Sequence, residues 1–261
     1  MWRLGAIVIG ATLLAGCGSQ GSLPTAPVPS DEPPAHVIGV PAPGVGNQGD
    51  DPHARRLLLA MGQAQSALQT ATCEAVMYCR GGQGNKPKAL PDLGGEWEAT
   101  TTYKQVFKKT ERYRIEVTQC SNPNSVGMKM LVQGNRAQVK LPGLLSVLPI
   151  SKGLGDKEML NFRGHRLDAG SLGGLARRFG AGNPQARFVG EQVVDGVALD
   201  MVEIPHAPSF DRTIVKEVLG FDRQTHLPRY HAMHTAKRKV YELKLRNLKI
   251  NVPVADSKLE L

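Results

Sequence analysis

The stretch Tyr113-Arg114-Ile115-Glu116-Val117-Thr118 alternates an apolar side chain with a polar one at every step. Successive side chains of a β-strand point to opposite faces, so this alternation predicts a strand with one buried face and one face in water. The segment Trp97–Phe107 precedes it, and the polar residues Lys108–Arg112 between the two are typical of a turn. Together these segments predict a long antiparallel hairpin that ends near Cys120.

Segments of the same kind recur along most of the chain, separated by short turns. Gly134-Asn135 and Asp195-Gly196 each separate two of them, and Asp-Gly between strands is a strong signal for a two-residue hairpin. Further strands are predicted over Cys73–Arg80, Met128–Gln133, Arg136–Leu141, Ala186–Val194, Val197–Ile204, Ile214–Phe221, Leu227–His234 and Val240–Leu248. The sequence therefore predicts about ten strands in one antiparallel sheet.

A helix is predicted before the first strand. Asp51 is a natural N-cap, and Pro52 suits the first helical position. Leu57, Met61 and Leu68 then recur at helical spacing, which predicts an amphipathic helix of about 17 residues. The apolar stripe of this helix covers either a solid core or a cavity.

The middle of the chain departs from the strand pattern. Leu141–Ile150 is apolar, interrupted by prolines and too short for an ordinary helix, and a short helix is predicted over Leu172–Phe179 with Ser171 as its cap. Gly173 and Gly174 weaken that helix by about 1 kcal/mol each relative to alanine. Two weak apolar elements between two groups of strands are compatible with a movable cover over a sheet and, equally, with a packed crossover.

The first residues have the pattern of an export signal. An apolar run ends at Leu14-Ala15-Gly16-Cys17, which is typical of a bacterial lipobox. We therefore expect residues 1–16 to be a lipoprotein signal peptide and Cys17 to carry acyl chains, such as palmitate, that anchor the protein in a membrane. Residues 17–50 are rich in proline, glycine and serine and predict a flexible tether, which leaves residues 51–261 as one folded domain.

The net charge of the chain predicts its partners, and the residue after Cys17 predicts its location. The formal net charge is +9, and a basic surface attracts acidic partners. Export argues against nucleic acid, and an aromatic fraction of 5% offers few stacking platforms, so an anionic membrane surface is the predicted partner. Gly18 stands where an aspartate would signal inner-membrane retention in enteric bacteria, and by that analogy we expect the outer membrane, facing the periplasm.

Three cysteines remain if Cys17 carries lipid, and an exported protein meets an oxidising compartment. Cys73 and Cys79 lie in one predicted strand, about 20 Å apart when extended, and should not pair with each other. Cys120 could pair with either of them. We favour a Cys79–Cys120 disulfide, because both residues end strands that should finish at the same end of the sheet.

The sequence displays no motif for catalysis. It contains no Gly-x-Ser-x-Gly, no Gly-Lys-Ser/Thr and no Cys-x-x-Cys. The closest group of histidines is His226, His231 and His234, but His231 and His234 are three apart on a predicted strand and so face opposite sides. We predict structural or surface roles for them, no metal, no cofactor and no enzymatic activity.

Two stretches near the C-terminus are typical of one protein family. They are Asp222-Arg223-Gln224-Thr225-His226-Leu227-Pro228 and Leu245-Arg246-Asn247-Leu248-Lys249-Ile250-Asn251-Val252-Pro253. With the starting helix, the hairpin around Tyr103–Cys120 and the interrupted apolar middle, they make residues 51–261 resemble the outer-membrane lipoprotein carrier superfamily (LolA/LolB-like proteins). The section Leu141–Phe179 is more similar to a less characterised branch of these lipoproteins than to the carriers.

The resemblance implies an α+β fold: a single, strongly curved antiparallel sheet that forms an unclosed half-barrel covered by two or three helices. It also implies an apolar cavity that holds acyl chains of a lipid or lipoprotein, for carriage or acceptance. The local sequence supplies the cavity candidates, each of which could equally belong to an ordinary core: Leu57, Met61 and Leu68 on the first helix and Leu144, Leu145, Val147 and Leu148 in the cover. The alternative is an envelope interaction or sensor protein that uses the same fold without a lipid ligand.

Overall fold

The computed structural model describes residues 51–81, 97–109, 112–143, 149–156, 159, 163, 165–183, 185–205 and 210–261. Several of the predictions fall outside these ranges and stay predictions. They are the signal peptide, the lipidated Cys17, the tether over residues 17–50 and the cover candidates Leu144, Leu145, Val147 and Leu148.

Eleven strands of the described chain form one antiparallel sheet that is not closed into a barrel. The strands are β1 (Thr70–Gly81), β2 (Trp97–Lys108), β3 (Arg112–Cys120), β4 (Lys129–Gln133), β5 (Arg136–Lys140), β6 (Ile150–Gly153), β7 (Arg187–Val194), β8 (Val197–Pro205), β9 (Ile214–Asp222), β10 (Pro228–Thr235) and β11 (Lys239–Ile250). The predicted α+β half-barrel is confirmed. The strand β6 was not predicted, because its four residues directly follow an apolar segment and show no alternation of their own.

The sheet consists of two meanders joined by the first and last strands. Its order is β6-β5-β4-β3-β2-β1-β11-β10-β9-β8-β7, so β6 and β7 are its two edges. Arg246 on β11 donates to Asp195 in the β7–β8 turn at 2.8 Å, although three strand spacings, about 14 Å in a flat sheet, separate β11 from β8. This contact ties the β7–β8 turn to β11.

The order of the strands explains why one face is covered. The chain leaves the sheet at the β6 edge and re-enters at the opposite edge with β7, so the intervening residues must cross the sheet. This crossing carries the helix α2 (Leu172–Phe179), and Ser171 caps it by accepting a hydrogen bond from the Gly174 N–H at 3.1 Å. The helix and its cap were both predicted. We call the described residues of this crossing from Arg163 to Phe179 the cover.

The starting helix, α1 (Pro52–Ala67), packs beside α2 at the β7 end of the sheet. Asp51 caps it through the N–H groups of His53 and Ala54, as predicted. The other oxygen of Asp51 accepts from the Phe188 N–H at 2.7 Å, which fixes the beginning of α1 to β7. The described helices and strands share buried hydrophobic clusters, and we expect a chain of residues 48–261 to fold on its own.

Candidate functional site

A cleft lies between the concave face of the sheet and the cover. Its floor follows the inward positions of alternate residues on the central strands, as pleating requires. The floor residues are Ala71, Cys73 and Met77 on β1, Thr101, Tyr103, Gln105 and Phe107 on β2, Tyr113, Ile115 and Val117 on β3, Met130 on β4, Met233 on β10 and Tyr241, Leu243 and Leu245 on β11. Most of these side chains are apolar or aromatic, and none is a carboxylate or an amine.

The roof of the cleft is the cover segment His165–Gly173, with Arg177 of α2 and Gln65 of α1 at its sides. At Gly170 the roof comes very close to the floor, because a Cβ built there would lie 2.4 Å from Tyr241 Oη. The cavity within the cleft has a volume of about 80 Å³. The free space is therefore narrow.

The floor carries no charge near neutral pH. Burial raises the pKa of the Cys73 thiol to about 12 and raises the pKa values of the Tyr103 and Tyr241 phenols well above their usual value. These groups are neutral hydrogen-bonding groups in an otherwise apolar wall.

Two buried ion clusters hold the cover against the sheet. In the first, Arg163 Nε donates to Asp211 Oδ2 at 2.8 Å and His165 Nε2 lies 3.0 Å from the same oxygen. All three side chains are at least nine-tenths buried. Burial by itself would raise the pKa of Asp211, but the hydrogen bonds from His165 and Thr213 and the charge of Arg163 hold it well below its usual range. Asp211 therefore stays ionised and anchors the beginning of the cover.

The second cluster anchors α2. Arg178 makes two parallel hydrogen bonds of 2.7 Å to the carboxylate of Glu217 on β9, and His231 Nε2 on β10 lies 2.6 Å from Glu217 Oε2. Glu217 is fully buried and His231 is 1% exposed. A bidentate arginine–carboxylate pair in this setting is a strong, directional contact. It fixes the helix over the sheet next to the cleft.

The pH dependence of stability should report on this cluster. Burial lowers the pKa of His231, against the opposing effect of Glu217, so the folded state favours the neutral imidazole. In the unfolded chain this histidine has a pKa near 6.5, so below that pH unfolding takes up a proton. The free energy of unfolding therefore decreases as the pH falls below 6.5, by up to about 1.4 kcal/mol per pH unit. Denaturant titrations between pH 7.5 and 5 should show this slope, and His231→Gln should flatten it.

His234 provides the matched control for this slope. The pKa of His234 is also lowered by burial, but the residue is less buried than His231. His234→Gln should therefore leave most of the slope in place. An unchanged slope in His231→Gln would contradict the assignment.

Three charged side chains lie in the roof of the cleft. Arg166 donates to both oxygens of Asp168, at 3.0 and 3.2 Å, and Arg177 donates to Asp168 Oδ2 at 3.0 Å. Arg166 also donates to Asn135 Oδ1 in the β4–β5 turn at 3.0 Å, which ties this part of the cover to the other half of the sheet.

The helix residues proposed as cavity candidates lie away from the described cleft wall. Leu57 and Met61 are buried in a cluster between α1, α2 and the strands β8 and β9. Leu68 packs in a smaller cluster with Ala71 and Leu227. The α1 residue that reaches the cleft is Gln65, whose Oε1 is buried without a hydrogen-bond partner.

The Cys79–Cys120 disulfide is absent, and both cysteines are free thiols, as is Cys73. Cys79 lies opposite Ala99 and Cys120 opposite Thr101, both on β2, so a whole strand separates the two thiols. Two strand spacings are about 10 Å, whereas the Cα atoms of a disulfide lie within about 7 Å. The two strands do finish at the same end of the sheet, but they are not neighbours.

This geometry predicts three free thiols in residues 48–261. Alkylation of the denatured, unreduced protein should add three labels by mass. In the folded protein at pH 7.5, Cys73 and Cys79 should react slowly, because burial raises both pKa values to about 12. A mass with only one label after denaturation would show that a disulfide had formed.

Sequence reasoning singled out His231 for a structural or surface role, but it missed the other residues of both ion clusters and the charged residues of the roof. Glu217 had a detectable signal, since it occupies an inward position of β9 in register with the buried Leu219 and Phe221. Across the described ranges, no three His, Cys, Asp or Glu side chains are grouped so as to hold a metal ion. No helix in the described part of the chain is long and apolar enough to span a membrane.

No family model matches the chain, and no curated protein matches its sequence. Among solved structures, it is similar to MucB in the MucA/MucB complex of Pseudomonas aeruginosa, with 16% identity over 80% of this chain and 61% of that chain and a TM-score of 0.45. It is similar to the lipoprotein LppX of Mycobacterium tuberculosis, with 16% identity over 78% and 98% of the two chains and a TM-score of 0.41. It is also similar to a LolA superfamily protein of Nitrosomonas europaea, with 12% identity over 80% and 97% and a TM-score of 0.37.

Proposed function

We propose that the protein is a membrane-anchored lipoprotein of the bacterial envelope that binds acyl chains of a lipid or lipoprotein, for carriage or acceptance. The observation that carries the proposal is the cleft between the concave face of the sheet and the cover. Its floor is largely apolar and uncharged, and the one carboxylate among the described residues that line it, that of Asp168, lies in the roof.

An apolar floor of this kind favours an acyl chain over a polar ligand. Each methylene that leaves water for an apolar wall gains about 0.8 kcal/mol. The phenols of Tyr103 and Tyr241 are neutral, because burial raises the pKa values of both. They therefore bring no charge into contact with an acyl chain. The cleft lies where ligands commonly bind, between a rigid sheet and a separate covering segment.

The narrowness of the cleft means that an entering chain must displace the cover. The cover comes close to the floor at Gly170, and two ion clusters hold its ends. Both clusters are side-chain contacts that take no part in the strand pairing, so opening of the cover would leave that pairing intact. We propose that ligand entry proceeds by this opening.

The proposed location follows from the N-terminal sequence. Cys17 would carry the anchoring lipid, and residues 17–50 would act as a flexible tether with a reach of about 30 Å from the membrane. The net charge of +9 favours an anionic lipid surface nearby. By the analogy of Gly18, we propose the outer membrane, facing the periplasm.

A substitution that fills the cleft with a larger side chain tests the proposed function. Residues 48–261, which lack the anchor, are incubated with palmitate or lysophospholipid and analysed by native mass spectrometry. We expect bound acyl species, and we expect Cys73→Phe to reduce binding at least tenfold, because the new ring occupies the floor. Val106→Phe is the matched control: Val106 pairs in the neighbouring register on β2 but is not part of the cleft wall.

Two results would overturn the proposal. One is a clean mass for the protein with no uptake of either ligand. The other is equal binding by Cys73→Phe and Val106→Phe, which would place the ligand outside the cleft. The first result would favour the envelope interaction or sensor protein instead, since the narrow cleft would then behave as filled core.

A further inference from the structure

A second cavity lies between the β7–β8 turn and β11. Its volume is about 340 Å³, and small-molecule sites usually have volumes of about 300 to 1,000 Å³. Four cationic side chains line it: Arg229 of β10 and Lys244, Arg246 and Lys249 of β11. The one carboxylate among the described residues of its wall is that of Asp195, in the β7–β8 turn. We call this space the basic cavity.

A β-bulge brings three of these cations to one face of β11. Residues 244, 246 and 249 lie opposite Val76, Glu74 and Thr72 of β1, which alternate along that strand and therefore share a face. Arg246 and Lys249 are three positions apart and would face opposite sides of a regular strand. The bulge adds one residue between them, where Asn247 has a left-handed φ of 52°. Arg246 therefore lies between two lysines, each about 7 Å away along the strand.

Carboxylates fix both arginines in place. Arg246 donates to both oxygens of Asp195, at 2.8 and 3.1 Å, and these hydrogen bonds hold the pKa of Asp195 below its usual value. Glu74, opposite Arg246 on β1, also attracts it. Arg229 Nε lies 2.7 Å from Asp222 Oδ2, and Asp222 is buried. Guanidinium groups that are held in this way lose little freedom when they bind a further anion.

The two lysines supply positive charge that these carboxylates leave unbalanced. Lys244 Nζ lies 3.4 Å from Glu242 Oε2, but Glu242 also pairs with Lys239, so one carboxylate serves two lysines. Lys249 is exposed and forms no ion pair with any residue that the structure describes. The basic cavity therefore has an excess of positive charge, and solvent reaches it.

We propose that the basic cavity binds a phosphate group, carried by a soluble compound or by a lipid head group. A phosphate monoester has nearly two negative charges at neutral pH and three acceptor oxygens, so Arg246 and the lysines on either side of it can bind one group together. A carboxylate offers one charge and two oxygens, and Asp195 already supplies one to Arg246. This proposal goes beyond acyl binding in the cleft, since the four cations of the basic cavity are not part of the described cleft wall.

The test for a soluble ligand is isothermal titration calorimetry of residues 48–261 at pH 8 with glycerol 3-phosphate and with succinate. Both compounds are dianions at this pH, so the comparison separates phosphate recognition from attraction to any negative charge. We expect glycerol 3-phosphate to bind about fivefold or more tightly than succinate. The test for a lipid source is cosedimentation of the same protein with phosphatidylcholine vesicles, with and without phosphatidic acid.

Two double variants assign the binding to the basic cavity. Lys244→Gln combined with Lys249→Gln should weaken the binding of glycerol 3-phosphate about fivefold or more, because it removes the unbalanced charge and leaves the ion pairs of both arginines intact. Lys129→Gln combined with Lys140→Gln is the control. These two lysines pair across β4 and β5, line neither cavity and carry the same charge, and their removal should leave the binding unchanged.

The two arms identify the source of the phosphate. Binding of glycerol 3-phosphate without binding to vesicles would assign a soluble compound, whereas cosedimentation that needs both phosphatidic acid and the lysines of the basic cavity would assign a lipid head group. Three results would overturn the proposal. They are no binding in either arm, equal affinity for succinate and glycerol 3-phosphate, and an equal loss of binding in the two double variants.

Discussion

Replacing Glu217 with alanine is expected to destabilise the protein by about 3 to 5 kcal/mol. Glu217 is fully buried. Its carboxylate accepts two hydrogen bonds from Arg178 and lies 2.6 Å from His231 Nε2. Its removal leaves an arginine that is 22% exposed and a buried imidazole without their shared partner. The loss should appear in the free energy of unfolding measured by urea titration.

Glu203→Ala is the control for this variant. Glu203 lies on the neighbouring strand β8 and accepts from Arg187 and Lys216, so it also has two cationic partners. Those partners are 60% and 38% exposed, and pairs in contact with water contribute at most about 1 kcal/mol. A loss in Glu217→Ala no larger than that in Glu203→Ala would contradict a structural role for the buried cluster.

Hydrogen exchange can show where the lost stability resides. If the cluster holds the cover, Glu217→Ala should reduce amide protection in α2 more than in the central strands β1 and β2, because local opening reflects local contacts. A double-mutant cycle of Glu217 and Arg178 should then give a coupling energy above about 1 kcal/mol. Uniform loss of protection would place the cluster in the global core instead.

The sheet could be predicted because its signals are local. Alternation over Tyr113–Thr118 and the Asp195-Gly196 turn depend on neighbouring residues, and both hairpins formed where the sequence placed them. The caps at Asp51 and Ser171 were predictable for the same reason.

The contacts across the sheet could not be predicted in this way. The Cys79–Cys120 pairing failed because the spatial order of strands, and not the position of their ends, decides which thiols are neighbours. The ion clusters join residues such as Arg178 and Glu217, which are 39 positions apart, and no sequence spacing marks such a pair. The cleft floor followed from alternation once the concave face was known, but its roof depends on the path of the crossing.

The contact between α1 and α2 depends on two glycines and gives the second large effect. A Cβ on Gly62 would lie 2.6 Å from the carbonyl oxygen of Gly180, and one on Gly180 would lie 3.0 Å from Gly62 Cα. Both contacts are to backbone, which cannot rotate away as a side chain can. We expect Gly62→Ala to destabilise by about 2 kcal/mol, since overpacking a tight contact typically costs about 1 to 3 kcal/mol.

The sign of the change in the free energy of unfolding distinguishes a clash with α2 from the intrinsic helix propensity of alanine. Alanine in the middle of an ordinary helix is about 1 kcal/mol more stable than glycine, so Gly62→Ala would stabilise α1 if the helix were free of α2. Gln63→Ala, at the exposed neighbouring position, should change the free energy of unfolding by less than about 0.5 kcal/mol. A gain in stability for Gly62→Ala would mean that α2 moves away from α1 readily. The cover would then be held mainly by its ion clusters, and the effect of Glu217→Ala on the cleft should be correspondingly larger.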